Sequence, residues 1–204
     1  MKFLLLSILG FMLTLTACTD NKKVKYMDEI QLKNGNSEMT FVFPVSYKAE
    51  GDNGKSRMRL YCKYPTMEAR DGNQVLEADS MTIHLEVSES RSRADFIVET
   101  AAKSYDPNFP GKIFFVGEQD GLQTYRSFSG KGDKQNEINM HVFRAIDGAL
   151  VSAEDSGDWS VVFTASRKIG PNLNVEYLFA KSIGTDFAKI DAAVVNFVNA
   201  HIKK

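Results

Sequence analysis

Residues 81–104 read MTIHLEVSESRSRADFIVETAAKS, and the spacing of their apolar residues changes half way along. Met81, Ile83, Leu85 and Val87 alternate with Thr82, His84, Glu86 and Ser88, the two-residue repeat of a strand that lays one face on a core. From Ser92 the repeat lengthens. Phe96, Ile97, Thr100, Ala101 and Ser104 share one helical face. Ser92, with Asp95 three residues later, makes a capping-box-like start, and Pro107 and Pro110 stop the helix.

The same two periods extend in both directions. Residues 57–64 set Met58, Leu60, Cys62 and Tyr64 against Arg59 and Lys63, which puts Cys62 on a core face. Residues 28–33 and 37–43 flank Asn34-Gly35 and predict a hairpin with a type I′ turn, ended by Pro44. Towards the C-terminus, residues 113–116, 122–128, 137–146, 149–153, 159–166 and 173–180 read as strands, with turns at Asp147-Gly148 and Gly170-Pro171-Asn172. The chain closes on a helix that Thr185 can cap, with Phe187, Ile190, Val194, Phe197, Val198 and Ile202 on one stripe. Hairpin-linked strands with two helices predict an α+β fold: a twisted antiparallel sheet of about eight strands packed with two helices. No repeat or composition shift divides residues 28–204, which form one domain.

Residues 1–17, MKFLLLSILGFMLTLTA, carry one lysine, no acid and an apolar run too short to span a bilayer comfortably, the pattern of a secretory signal peptide. Leu15-Thr16-Ala17-Cys18 resembles the lipobox of bacterial lipoproteins. The resemblance implies cleavage before Cys18, a diacylglyceryl group on its thiol and acylation of the new amine. Residues 18–27 are then the lipidated cysteine and a short polar tether. Thr19 in place of Asp implies, by the same resemblance, transfer to the outer membrane, facing the periplasm. Cleavage removes 17 of the 204 residues and one of the 25 basic side chains against 26 acidic ones, leaving 187 residues of nearly balanced charge. Such a balance gives no field for nucleic acid, and Cys62 is left without an intramolecular partner.

The order of elements is similar to the PsbP-like fold. The features that carry the likeness are the strand end Phe41-Val42-Phe43-Pro44 after the opening hairpin, the helix beginning near Ser92, the turn at residues 117–121 before Leu122-Gln123-Thr124-Tyr125, the late hairpin and the final amphipathic helix. The resemblance implies a sandwich that binds proteins and is not an enzyme. Envelope lipoproteins of this size also include immunity proteins that neutralise type VI secretion toxins, a likeness of size and address without a residue motif.

The chemical motifs are sparse. Residues 49–56, AEGDNGKS, fit a loose phosphate-loop pattern, but a strand follows where that loop needs a helix, and Glu50 and Asp52 repel phosphate. His84, His141 and His201 lie on different elements without metal-ligand spacing, so no metal and no cofactor is expected. There is no nucleophile elbow, and the free cysteine faces the core. Glu154, Asp155 and Asp158 before Trp159 depart from calcium-loop spacing and suit an acidic-aromatic contact loop. Tyr105 and Phe109, stiffened by Pro107 and Pro110, suit a second. Arg57, Arg59 and Lys63, with Lys55, make a basic stripe.

The expected function is therefore that of a non-catalytic, membrane-anchored periplasmic lipoprotein. It would bind a protein partner through Tyr105, Phe109, Asp155, Asp158 and Trp159, as an envelope accessory or an immunity protein. The alternatives are a small lipid or ligand carrier with an apolar cavity, and an envelope hydrolase with a dispersed site around one of the histidines.

Overall fold

The computed structural model describes residues 27–51, 54–72, 76–104, 112–129 and 136–203. Strands β1 (Met27–Asn34) and β2 (Ser37–Pro44) form a separate hairpin. The other strands are β3 (Arg57–Lys63), β4 (Glu68–Ala69), β5 (Ser80–Val87), β6 (Ile113–Gln119), β7 (Leu122–Ser129), β8 (Asn136–Arg144), β9 (Leu150–Asp155), β10 (Val162–Ile169) and β11 (Leu173–Ala180). They make one antiparallel sheet in the order β4-β3-β5-β11-β10-β9-β8-β7-β6. With helices α1 (Arg93–Lys103) and α2 (Phe187–His201) the fold is α+β, as expected, and dominated by its sheet.

The two-residue repeat decides which face is buried. Met58, Leu60, Cys62, Ile83, Leu85, Val175, Phe179, Phe163 and Ala165 point to one face, where α2 and the β1–β2 hairpin cover them. Phe41 and Phe43 of the hairpin and Phe187, Ile190, Val194, Phe197 and Val198 of α2 complete this core. Cys62 is fully buried there, and desolvation pushes its thiol up to about 12, so it is inert. On the opposite face α1 covers the β6–β9 half and reaches the near side of β10, through Ala94, Ile97 and Ala101 against Ile113, Tyr125, Met140 and Val142.

Three local expectations are corrected. The first turn has Gly35 and Asn36 at its centre, and only Gly35 takes a positive φ, which suits a glycine-first type II′ turn and not type I′. The two consecutive positive φ values of type I′ occur instead at Asp120-Gly121, between β6 and β7. The cap of α2 is Asp186, whose carboxylate accepts from the Lys189 amide, and not Thr185. Phe96 lies off the buried face of α1: Ala94, Ile97 and Ala101 set that face, and Phe96, 39% exposed, turns under the Arg93 guanidinium at 5.3 Å.

A buried ion pair crosses the main core. Arg167 of β10, 1% exposed in its side chain, donates Nη1 to Asp191 Oδ2 of α2 at 2.6 Å and also bonds Asp147. Tyr177 donates its hydroxyl to Asp191 Oδ1 at 3.0 Å. Burial pushes the Asp191 carboxyl up, against the pull of Arg167 and Tyr177.

His141 stacks on Phe187 at 5.4 Å, where α2 begins, with Thr124 Oγ1 at 3.3 Å from Nδ1. Burial pushes its imidazole below the ordinary 6.5. As pH falls the unfolded chain takes up this proton first, so the stability the neutral ring contributes is intact above 6.5 and is lost as pH drops through the folded value. Melting temperature measured between about pH 7 and pH 5 is therefore expected to fall less steeply in His141→Phe than in the wild type. Equal slopes would remove His141 as the cause.

Candidate functional site

The uncovered half of the second face, over β3, β5, β11 and β10, forms an open groove of about 890 Å³ with the start of α1 as its wall. Its volume lies within the range of ligand sites, and its floor is polar because the positions of those strands that alternate with the core residues are polar: Arg57 and Arg59, His84 and Glu86, Asn174 and Glu176, Thr164 and Ser166. Register brings three of them into one row. Arg59 of β3, His84 of β5 and Glu176 of β11 are direct cross-strand partners. Arg59 donates Nε–H to His84 Nε2 at 3.1 Å, and His84 Nδ1 lies 3.3 Å from Glu176 Oε1. Accepting from arginine leaves Nε2 without a proton, so the neutral ring carries its proton on Nδ1, towards Glu176. That hydrogen bond holds the Glu176 carboxyl below the usual range despite partial burial.

The remaining charges are matched in the same way. Arg57 Nη2 lies 3.5 Å from Glu86 Oε1, directly across the strands. Arg59 Nη1 is 3.8 Å from Glu50 Oε2, whose carboxylate also accepts from the Tyr61 hydroxyl at 3.0 Å. On the wall, Arg93 grips Glu154 of β9 through Nε at 2.6 Å and Nη2 at 3.0 Å, and this bidentate bond pushes its guanidinium up. Arg91 pairs with Glu99. The groove thus presents arginines and glutamates in nearly equal number, with the Phe96 ring as its apolar element.

No family model, curated protein or solved structure matches the chain. The site is therefore read from its own residues.

Of the residues singled out from the sequence, Cys18, Tyr105 and Phe109 lie outside the described residues, as do the signal peptide and most of the tether. Asp155 is engaged internally: it accepts from the Gly157 amide at 2.8 Å and lies 2.6 Å from Lys181 Nζ. Asp158 is exposed, and Trp159 is 79% exposed at the end of a short 3-10 turn, Gly157–Trp159, where a strand was expected to begin. Asp155 ends β9, and Asp158 and Trp159 lie on the loop after it, away from the groove floor. The basic stripe of Arg57, Arg59 and Lys63 is present, but each member faces a carboxylate.

Of the three histidines, only His84 is in the groove. His141 and His201 lie on the opposite face, His201 with its ring 4.6 Å from Phe43 and Nδ1 donating to the Phe197 carbonyl at 2.8 Å. Among the described residues no three of His, Cys, Asp and Glu converge as metal ligands, and no helix is long and apolar enough to cross a membrane. A carrier needs an apolar space between sheet and helix. That space holds Phe163, Phe179, Phe187 and Tyr177, with neighbouring centroids 5.3–6.4 Å apart.

The row Arg59-His84-Glu176 and the wall pair Arg93-Glu154 were missed from sequence. Alternation marks His84 and Arg59 as polar-face residues one strand at a time. Only the pairing of β5 with β11, which join distant parts of the chain, puts Glu176 beside His84.

Proposed function

We propose that the protein is a lipid-anchored lipoprotein of the bacterial envelope, without catalytic activity, that binds another protein in the groove beside α1. The observation that carries this reading is the groove's matched charge. Exposed ion pairs are worth little to the fold, so Arg57, Arg59 and their glutamates exchange partners at small cost when an extended segment of mixed charge lies across them, while the bidentate Arg93–Glu154 pair holds the wall in place. Arginine and an exposed aromatic ring are the side chains enriched where binding energy concentrates. The likeness to the PsbP-like fold, whose members mostly bind proteins, points the same way, and both envelope-assembly and toxin-neutralising partners suit the proposed address.

A photo-crosslinking residue at position 96, compared with one at Lys189 on the exposed side of α2, tests this in intact cells. The expected result is a discrete adduct from the groove and none from α2. Reversing charge in Arg59→Glu with Arg93→Glu is expected to lower that adduct by ~10-fold or more, the scale of a disrupted interfacial charge pair. A functional protein that yields no groove adduct would overturn the reading.

One observation favours a second reading, hydrolysis of an envelope substrate: Glu176 orients His84 as the acid orients the base of a catalytic triad. Against it, Nε2 is occupied by Arg59, and among the described residues no hydroxyl is bonded to His84. His84→Gln separates the two, since it would abolish hydrolysis while leaving the groove adduct in place.

A further inference from the structure

One end of the sheet forms a continuous rim from the point where the chain enters the fold to Trp159. Met27 pairs with Pro44. The turn Val45–Tyr47 follows, and the Tyr47 hydroxyl donates to the Met67 carbonyl in the connection from β3 to β4. From there the Tyr64 amide bonds the Asp79 carbonyl at 2.8 Å, Ser182 Oγ donates to the Ala78 carbonyl at 2.6 Å, and the Lys181 amide bonds the Val161 carbonyl at 3.0 Å. Register agrees: Lys63 faces Ser80, Met81 faces Phe179, and Ala180 faces Val162, so these strand ends share one edge. The opposite end of the hairpin lies at the far edge, where Asn34 Nδ2 donates to the Val87 carbonyl.

On this rim the loop between β9 and β10 exposes Trp159 at 79% and Val161 at 70%. Several of its polar groups are satisfied by near neighbours. Asp155 accepts from the Gly157 amide, Lys181 Nζ donates to the Gly157 carbonyl at 2.6 Å, the Ser160 amide bonds the Gly157 carbonyl, and Ser160 Oγ takes the Val162 amide at 3.2 Å. A loop so pinned carries its apolar tip towards a water-poor surface with these groups already paired, which lowers the cost of leaving water. Nine steps of chain separate Cys18 from Met27, at most ~30 Å when fully extended. Trp159 sits about three strand spacings, ~15 Å, across the rim from β3.

We infer that the Trp159–Val161 loop is a second membrane contact, seating the rim on the lipid surface that holds Cys18. The inference rests on the anchor reading of Cys18 and goes beyond it. It commits to a lipid surface because the short tether delivers this edge to the bilayer, and because tryptophan belongs at the level of the headgroups. The contact is apolar: Lys48 faces Asp71, Lys63 faces Glu77 and Asp79, Lys181 faces Asp155, and Asp158 adds a negative charge. Zwitterionic lipid is therefore preferred over anionic lipid.

Trp159 is the only tryptophan in the chain, so its emission reports on the loop alone. The test uses the full-length acylated protein in phosphatidylethanolamine–phosphatidylcholine vesicles with or without brominated acyl chains. Expected are co-sedimentation with the vesicles, ~2-fold quenching of Trp159 by the brominated lipid, as for a ring held at the interface, and less quenching when anionic lipid is added. Val161→Asp, exposed and compatible with folding, is expected to lose the quenching while still co-sedimenting. Co-sedimentation with unquenched emission would overturn the loop contact and leave the anchor standing. Protein left in the supernatant would overturn both. Shielding of Trp159 from iodide in native envelopes, without quenching in vesicles, would assign the loop to a protein partner and overturn the lipid contact.

Discussion

Replacing Asp191 by alanine is expected to cost about 3–5 kcal/mol of stability, the toll for breaking a buried ion pair from one side. The magnitude follows from what remains. Arg167, buried on the core face of β10, would keep the Lys168 carbonyl and, as its one carboxylate, Asp147, whose side chain is 46% exposed, while Tyr177 would lose the acceptor of its buried hydroxyl. For a domain of this size each kcal/mol moves the melting temperature by about 2–4 °C, so a fall of roughly 10 °C is expected by circular dichroism. The companion variant Arg167→Met with Asp191→Leu removes both charges and is expected to recover most of the loss. Equal loss in both variants would show that packing, and not the stranded guanidinium, sets the cost.

The second large effect lies at Cys18. If the thiol carries the diacylglyceryl group, metabolic labelling with radioactive palmitate is complete in the wild type and absent in Cys18→Ala. Several acyl chains at ~0.8 kcal/mol per buried methylene leave the mature protein with no measurable soluble fraction. Cys62→Ala is expected to keep its label, because Cys62 is fully buried with a thiol pushed up to about 12. A wild type without label, or label that survives the loss of Cys18, would sink the anchor.

The strands were legible because each has one wet and one dry face, and period two records that difference locally. The order of the strands was not, since the neighbours of β5 are chosen by pairing over long separations that leave no mark in a window of ten residues. Phe96 shows a similar limit. It fits the helical stripe by spacing, yet α1 meets the sheet through Ala94, Ile97 and Ala101, small enough for close approach, and the larger ring turns to Arg93. Arg167 and Asp191 do carry a readable signal: a charge on the apolar face of a strand, in step with Phe163 and Ala165, and another beside Ile190 in the stripe of α2. Two opposite charges placed among buried residues call for each other. The groove itself was not readable, because it exists where α1 fails to reach, and the reach of a helix over a sheet depends on tertiary packing.

The seam between β5 and β11 bears on how such a chain is made. β5 lies between β3 and β11, and although the β1–β2 hairpin packs on its core face, its second edge stays unpaired until residues 173–180 arrive, and Phe43 of the hairpin stays open until Phe197 of α2 follows. Folding waits on this distant pairing and is correspondingly slow. A chain threaded through a membrane from its N-terminus, as the proposed export requires, cannot fold too soon, because the last stretch to enter the channel holds the pieces that lock the first.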